Sequence, residues 1–267
     1  MFITLQRRRP VRSCLRLTPL DWHTQPGPPL GMPLRLSQTM IFTLSRPLSM
    51  SILFLIPFPG TLLLFPFSQT VTIRVTTSGN ASLFHGVPDW VYEEEVFSNN
   101  YALWWSPDSS KVAFLTLDET SVPEFSFPIY NPTDDNDVVV PYTHDVVMKY
   151  PKPGYPNPLV AVQVFDLGGY LDAGSTSRLP VADWTLTLDW DGRHPANDSI
   201  VQEVVWVGNT TLILKEVNRN ADDGSVLLFD LEGSNHLRDH GKVVRKLGKS
   251  GEQGDDGWID HVGIFLS

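Results

Sequence analysis

From about Thr72 onward the chain is a succession of short β-prone runs, each closed off by turn residues. That pattern limits it to architectures built from brief antiparallel strands. The runs are Val71 to Val75, Lys111 to Leu117, Leu159 to Leu167, Val201 to Val207, Thr211 to Val217 and Ser225 to Leu231. Each has strand length and is dense in Val, Leu, Ile and Phe, with Asn, Asp, Gly and Pro between them. Gly208-Asn209 and Asp223-Gly224 are hairpin-turn signals, so Val205 to Ser234 reads as three consecutive strands of a meander. Pro107-Asp108 turns a further hairpin between Ala102 and Leu117. Repeated hairpins of this kind build sandwiches and propeller blades. At roughly 40–45 residues per blade, residues 72–267 have room for about four blades. The fold expected from these strands is all-β, a sandwich or a β-propeller; as a propeller it would be a partial one of about four blades, its ring left open at an exposed edge.

The rest of the chain differs in kind. Residues 1–71 hold seven arginines, no lysine and a single acid, Asp21, a net of +6. The whole chain carries −10, which leaves −16 for residues 72–267. A domain boundary near residue 72 follows from this shift. Residues 1–40 are Arg- and Pro-rich without periodicity, and a poorly structured leader is expected there. Residues 47–67 are uncharged and apolar over the length of a bilayer span. Pro57, Pro59, Gly60 and Pro66 oppose a continuous helix. A membrane anchor, a degraded signal sequence and a gene-model artefact all stay open for this segment. The acidic body excludes nucleic acid as a partner, because phosphate binding needs clustered Lys and Arg. Cys14 stands alone, so no internal disulfide forms, and no Cys/His metal cluster can be built around it.

Most catalytic signatures are absent from the 267 residues. There is no G-x-S-x-G nucleophile elbow and no H-E-x-x-H. Gly248-Lys249-Ser250 has the end of a phosphate-binding loop, but Val243 occupies the position of its first glycine. His236 and His240 have the spacing of helix-borne ligands, yet their polar, Gly-flanked stretch reads as a solvated loop. No metal site and no cofactor is expected.

One cluster stands out. Glu93-Glu94-Glu95 lies between Trp90, Val91 and Tyr92 on one side and Val96 and Phe97 on the other. Three acids in a row are ordinarily a solvated face. Here bulky apolar flanks surround them, and adjacent carboxylates near an apolar wall repel one another until a cation neutralises them. Neighbouring side chains of a strand point oppositely. Convergence on one ammonium group would need a local coil, so a short helical insertion between strands is expected at the Glu run.

Gly86 to Ser98 (GVPDWVYEEEVFS), followed by Ala102 to Leu115 (ALWWSPDSSKVAFL), resembles the dipeptidyl peptidase IV family, fungal dipeptidyl aminopeptidases in particular. Met148 to Pro158, Glu203 to Arg219 and Gly257 to Asp260 extend the resemblance. It implies an eight-bladed propeller followed by an α/β-hydrolase domain, and release of Xaa-Pro or Xaa-Ala dipeptides from free peptide N-termini. It also implies that Glu94 and Glu95 grip the substrate's α-ammonium group through charge-assisted hydrogen bonds. Ser98 would line the same region. The implied partners are peptide N-termini, with a second copy of the chain as a homodimer partner. The implied location is the secretory pathway, either as a single-pass membrane protein of vacuolar type or outside the cell. Glycosylation at the sequons Asn80, Asn197 and Asn209 would accompany it.

The departures from the family pattern bear on function. The family's Ser-Asp-His triad belongs to a C-terminal domain that these residues do not include. The propeller stretch before the Glu run, with an arginine that helps bind substrate, has no counterpart in residues 1–71. The chain is thus expected to supply the amine anchor of a serine-type dipeptidyl peptidase and to be inactive alone. A non-catalytic module that binds peptide N-termini and a non-functional truncated remnant are the alternatives.

Overall fold

The computed structural model describes residues 41–46, 51–54, 69–173, 180–232, 238–251, 254 and 257–260. The first sheet has three strands, β1 (Ile41–Arg46), β2 (Ser51–Phe54) and β3 (Gln69–Arg74), in the order β2-β1-β3. Part of the expected leader thus pairs with β3, which straddles residue 72. Most of the apolar segment 47–67 and all of residues 1–40 lie outside the described residues. Among the described residues no helix is long and apolar enough to cross a membrane.

Two four-stranded antiparallel meanders follow. The first runs β5 (Leu103–Trp105), β6 (Lys111–Asp118), β9 (Leu159–Asp166) and β10 (Thr185–Trp190). The short strand β4 (Leu83–His85) shares the β5 side of β6. The second runs β11 (Ser199–Val207), β12 (Thr211–Asn218), β13 (Asp223–Asp230) and β14 (Arg238–Gly248). Each meander is a propeller blade. Their last strands, β10 and β14, pair in parallel. Their first strands are tied by the Trp206 indole N–H, which donates to the Trp104 carbonyl at 2.9 Å.

The architecture is the expected one: all-β, a partial propeller with a short helical insertion. Against room for about four blades, the described strands complete two. The difference lies in how the length is used. Between β6 and β9 the chain leaves the blade to form an arm, β7 (Glu124–Ile129) paired with β8 (His144–Lys149). Between β9 and β10 it adds the helix α1 (Leu167–Ala173) and a 3-10 turn, Val181–Trp184.

The periodicity of two explains the packing. Along β6, Ala113, Leu115 and Leu117 face the second blade, and Val112 and Phe114 face the opposite way. The first group packs with Val162, Val164, Leu212, Leu214, Leu227 and Phe229 between the blades. The second meets Ile73, Val75, Phe165 and Leu167. The first blade is thus buried on both faces, as a blade inside a stack must be.

Two local readings shift. The turn expected at Asp223-Gly224 falls just before it, at Arg219–Asp222, where Asn218 accepts the backbone N–H groups of Asp222 and Asp223. His240, read as part of a solvated loop, lies in β14 opposite Asp189 of β10, because parallel pairing extends that strand. It remains exposed and sits 3.0 Å from Asp191.

Candidate functional site

The Glu run sits in an excursion that leaves and rejoins the ladder at a single point. His85 of β4 pairs with Thr116, and Leu103 of β5 pairs with Phe114, so Leu115 is left opposite the gap. The Gly86 N–H donates to the Leu115 carbonyl at 2.8 Å, and the Leu115 N–H donates to the Ala102 carbonyl at 2.9 Å. The Ala102 N–H donates to the Gly86 carbonyl at 3.0 Å and closes the neck. Gly86 has a φ of 70°, a conformation that favours glycine. The first blade's opening strand is therefore one strand row split by an insertion.

Within the insertion the chain coils from Trp90, and Tyr92–Phe97 form a π-helical turn. Such turns are rare and occur frequently at functional sites. Asp89 starts it. One carboxylate oxygen accepts the Val91 N–H at 3.0 Å and the other accepts the Tyr92 N–H at 3.2 Å. The Asp89 carbonyl accepts the Glu93 N–H at 2.8 Å. At the far end Ser98 adopts the left-handed conformation (φ 49°, ψ 41°), and its N–H and that of Asn99 both turn back to the Glu93 carbonyl. These bonds satisfy several of the orphan groups that a helix end otherwise leaves.

Apolar packing holds the turn down. Tyr92 is 1% exposed and anchors in the core between the blades. Its hydroxyl accepts the Val201 N–H of β11 at 3.2 Å, so the turn is bonded to the neighbouring blade. The Phe97 ring lies 5.4 Å from Tyr92 and edge-on to Trp104 at 5.5 Å. Trp90 meets Tyr150 at 4.5 Å, just past the end of the arm. Glu93, Glu94 and Glu95 are all exposed, as is Ser98. Three carboxylates thus project from a turn whose backbone is fixed at both ends.

Electrostatics match this layout. Burial pushes Asp89 up to about 6, against the pull of its two backbone hydrogen bonds, and Glu93 raises it further. Glu93 is itself raised, first by desolvation and then by Glu94 beside it. Burial also raises the Tyr92 phenol. Crowded acids of this kind favour a cationic ligand. Among the described residues no group of His, Cys, Asp and Glu has metal-binding geometry.

The expected helical insertion is present, and it places Glu94, Glu95 and Ser98 on one short turn. The sequons lie elsewhere, at Asn80 before β4, Asn197 before β11 and Asn209 in the β11–β12 turn, each exposed. Asp89 and Tyr92 were not singled out from sequence. An Asp directly before a helical turn is a capping signal that could have found the first. Nothing local marks the second, because its partner Val201 is distant in sequence.

A propeller segment whose first blade carries an acidic π-turn in a split opening strand is the class of protein that these features define. Residues 64–266 match the family model described as the dipeptidyl peptidase IV (DPP IV) N-terminal region, and the chain belongs to that family. It is 36% identical over 197 residues to a Paracoccidioides brasiliensis (strain Pb18) protein named "Probable dipeptidyl-aminopeptidase B". That alignment covers 72% of this chain and 19% of the relative. A Tuber melanosporum (strain Mel28) protein of the same name is 37% identical over 191 residues, covering 70% of this chain and 19% of the relative. The chain therefore spans about a fifth of the length of these curated relatives. The crystal structure of Porphyromonas gingivalis dipeptidyl peptidase 4 superposes with a TM-score of 0.51 over 67% of this chain and 22% of that one. At 24% sequence identity the likeness is one of fold.

Proposed function

We propose that the acidic turn binds the free α-ammonium group of a peptide. In this reading the chain is the amine-recognition part of a serine-type dipeptidyl aminopeptidase that releases Xaa-Pro and Xaa-Ala dipeptides. Glu94 and Glu95 grip the ammonium through charge-assisted hydrogen bonds, and Ser98 lines the same edge. The observation that carries this is the turn itself: consecutive exposed carboxylates on a π-helical coil anchored at its neck, its cap and its aromatic flank. Holding the amine at a set place is what would make a peptidase count residues from the N-terminus.

The test is direct. The purified chain should bind Ala-Pro amide and lose most of that binding when the peptide is N-acetylated. Glu94→Ala should weaken the free peptide by about tenfold or more, the worth of one charge-assisted contact. Equal affinity for free and acetylated peptide would reject the reading. The chain alone should release no dipeptide from an Xaa-Pro reporter, because covalent acyl transfer needs an activated nucleophile, and no nucleophile elbow occurs in its sequence.

The resemblance also suggests a homodimer, and the arm is where we place its contact. Phe125, Phe127, Tyr130, Val139 and Tyr142 are all exposed on it or in its connecting loop. Sedimentation at increasing concentration should show a dimer that Phe127→Asp with Tyr142→Asp abolishes. Glycans at Asn80, Asn197 and Asn209 would place the chain in the secretory pathway. Expression in a glycosylating host should give a mass that falls on enzymatic deglycosylation.

A further inference from the structure

The π-turn needs more than its own sequence to keep its shape, because a six-residue helix has little stability of its own. Two buried side chains, neither of them a member of the Glu run, supply what is missing. Asp89 is 5% exposed and uses both carboxylate oxygens to hold consecutive amides, those of Val91 and Tyr92. Tyr92 is 1% exposed and reaches through the core between the blades to the Val201 amide. That amide belongs to β11, which among the described residues is an edge strand with no neighbouring strand on its outer side.

We propose that Asp89 and Tyr92 are the positioning residues of the amine-binding turn: Asp89 sets the direction in which the Glu run leaves the helix start, and Tyr92 fixes the turn's height above the core between the blades. The proposal rests on the reading of Glu94 and Glu95 as an ammonium anchor. It adds that the anchor's geometry depends on the second blade through the Tyr92 hydroxyl, which accepts the Val201 N–H.

Two features favour a positioning role over plain packing. A buried carboxylate is an expensive way to start a helix, since an exposed Ser or Thr cap does the same job without burying a charge. Asp89 instead engages two successive amides from inside the core, which fixes orientation as well as satisfying donors. Likewise a phenylalanine would fill the Tyr92 pocket, but only the hydroxyl can register the turn against β11.

The experiment compares the full chain with Asp89→Asn and Tyr92→Phe by two readouts. The first is the affinity ratio between Ala-Pro amide and its N-acetyl form. The second is amide hydrogen exchange at Glu93, Ser98 and Asn99 in the turn, with Leu212 and Leu214 of β12 as the core reference. Positioning predicts turn amides exchanging about tenfold faster, the β12 amides exchanging no faster, and the free-amine preference reduced about tenfold in both variants. Exchange that rises equally in the turn and in β12 would mean a general stability role and overturn the proposal. So would exchange unchanged in both variants, or a faster-exchanging turn with an undiminished free-amine preference. If the wild-type chain shows no free-amine preference, the anchor reading falls, and the exchange pattern still decides whether these residues hold the turn.

Discussion

Asp89 makes a quantitative prediction about stability and pH. Its carboxyl is raised from 3.8 to about 6 in the folded chain, mainly by burial. An acid whose folded-state pKa lies above its unfolded value binds its proton more tightly in the fold. Its contribution to stability is therefore best below pH 3.8, declines as pH rises from 3.8 to 6, and is flat above that. At about 1.4 kcal/mol per pKa unit, the ionised group opposes folding by roughly 3 kcal/mol at pH 7. Asp89→Asn removes this titration and gives up one of two acceptor oxygens, at a cost of about 1 kcal/mol. The variant should thus be somewhat more stable than wild type at pH 7 and less stable at pH 4. Urea unfolding of both chains across that range checks it, because contributions from the other acids largely cancel in the difference. The expected difference changes by roughly 2.4 kcal/mol from pH 4 to pH 7, in favour of the variant. A difference that stays constant across the range would refute the claim that burial raises the Asp89 carboxyl in the folded chain.

Other buried groups give further tests. Glu216 is fully buried and accepts from the Trp190 indole N–H at 2.8 Å, the Ser199 hydroxyl at 2.6 Å and the His194 backbone N–H at 3.1 Å. Glu216→Ala leaves those donors without that acceptor and should cost about 3 kcal/mol or more, read as a lower urea midpoint with the slope unchanged. Gly241 of β14 lies against the Phe229 ring, which is fully buried. A methyl group at Gly241 would enter the space of that ring, so Gly241→Ala should cost about 1–3 kcal/mol by thermal or urea unfolding. The same substitution at Gly208, where nothing lies within 4 Å of the added carbon but φ is +75°, should cost only the backbone penalty, about 1 kcal/mol.

Much of the fold was legible because strand signals are local. The runs at Lys111, Leu159, Val201, Thr211 and Ser225 all became strands, since apolar content at strand length bounded by turn residues needs no distant information. The blade count was less legible. Residues such as Phe125 and Phe127 have the composition of a blade strand, but they form an arm with exposed faces. Whether an apolar strand joins a blade depends on which surface is free to cover it, and that is a tertiary matter. The turn at Asp223-Gly224 shifted for a similar reason: Asn218 captures the preceding amides and closes the hairpin early.

The Glu run shows the division most clearly. Its residues, spacing and apolar flanks were enough to expect a coil between strands carrying consecutive acids, because opposed side chains on a strand could not converge. The sequence by itself determined that much, together with the family resemblance carried by the same residues. Only the tertiary structure decided how the coil is held. It closes the neck of the excursion at Leu115, buries Asp89 beneath the turn and joins the Tyr92 hydroxyl to Val201. The reason is physical. The partners of these bonds lie on other strands and on another blade, and nothing in the local sequence records which distant backbone groups remain unpaired once the sheet has formed.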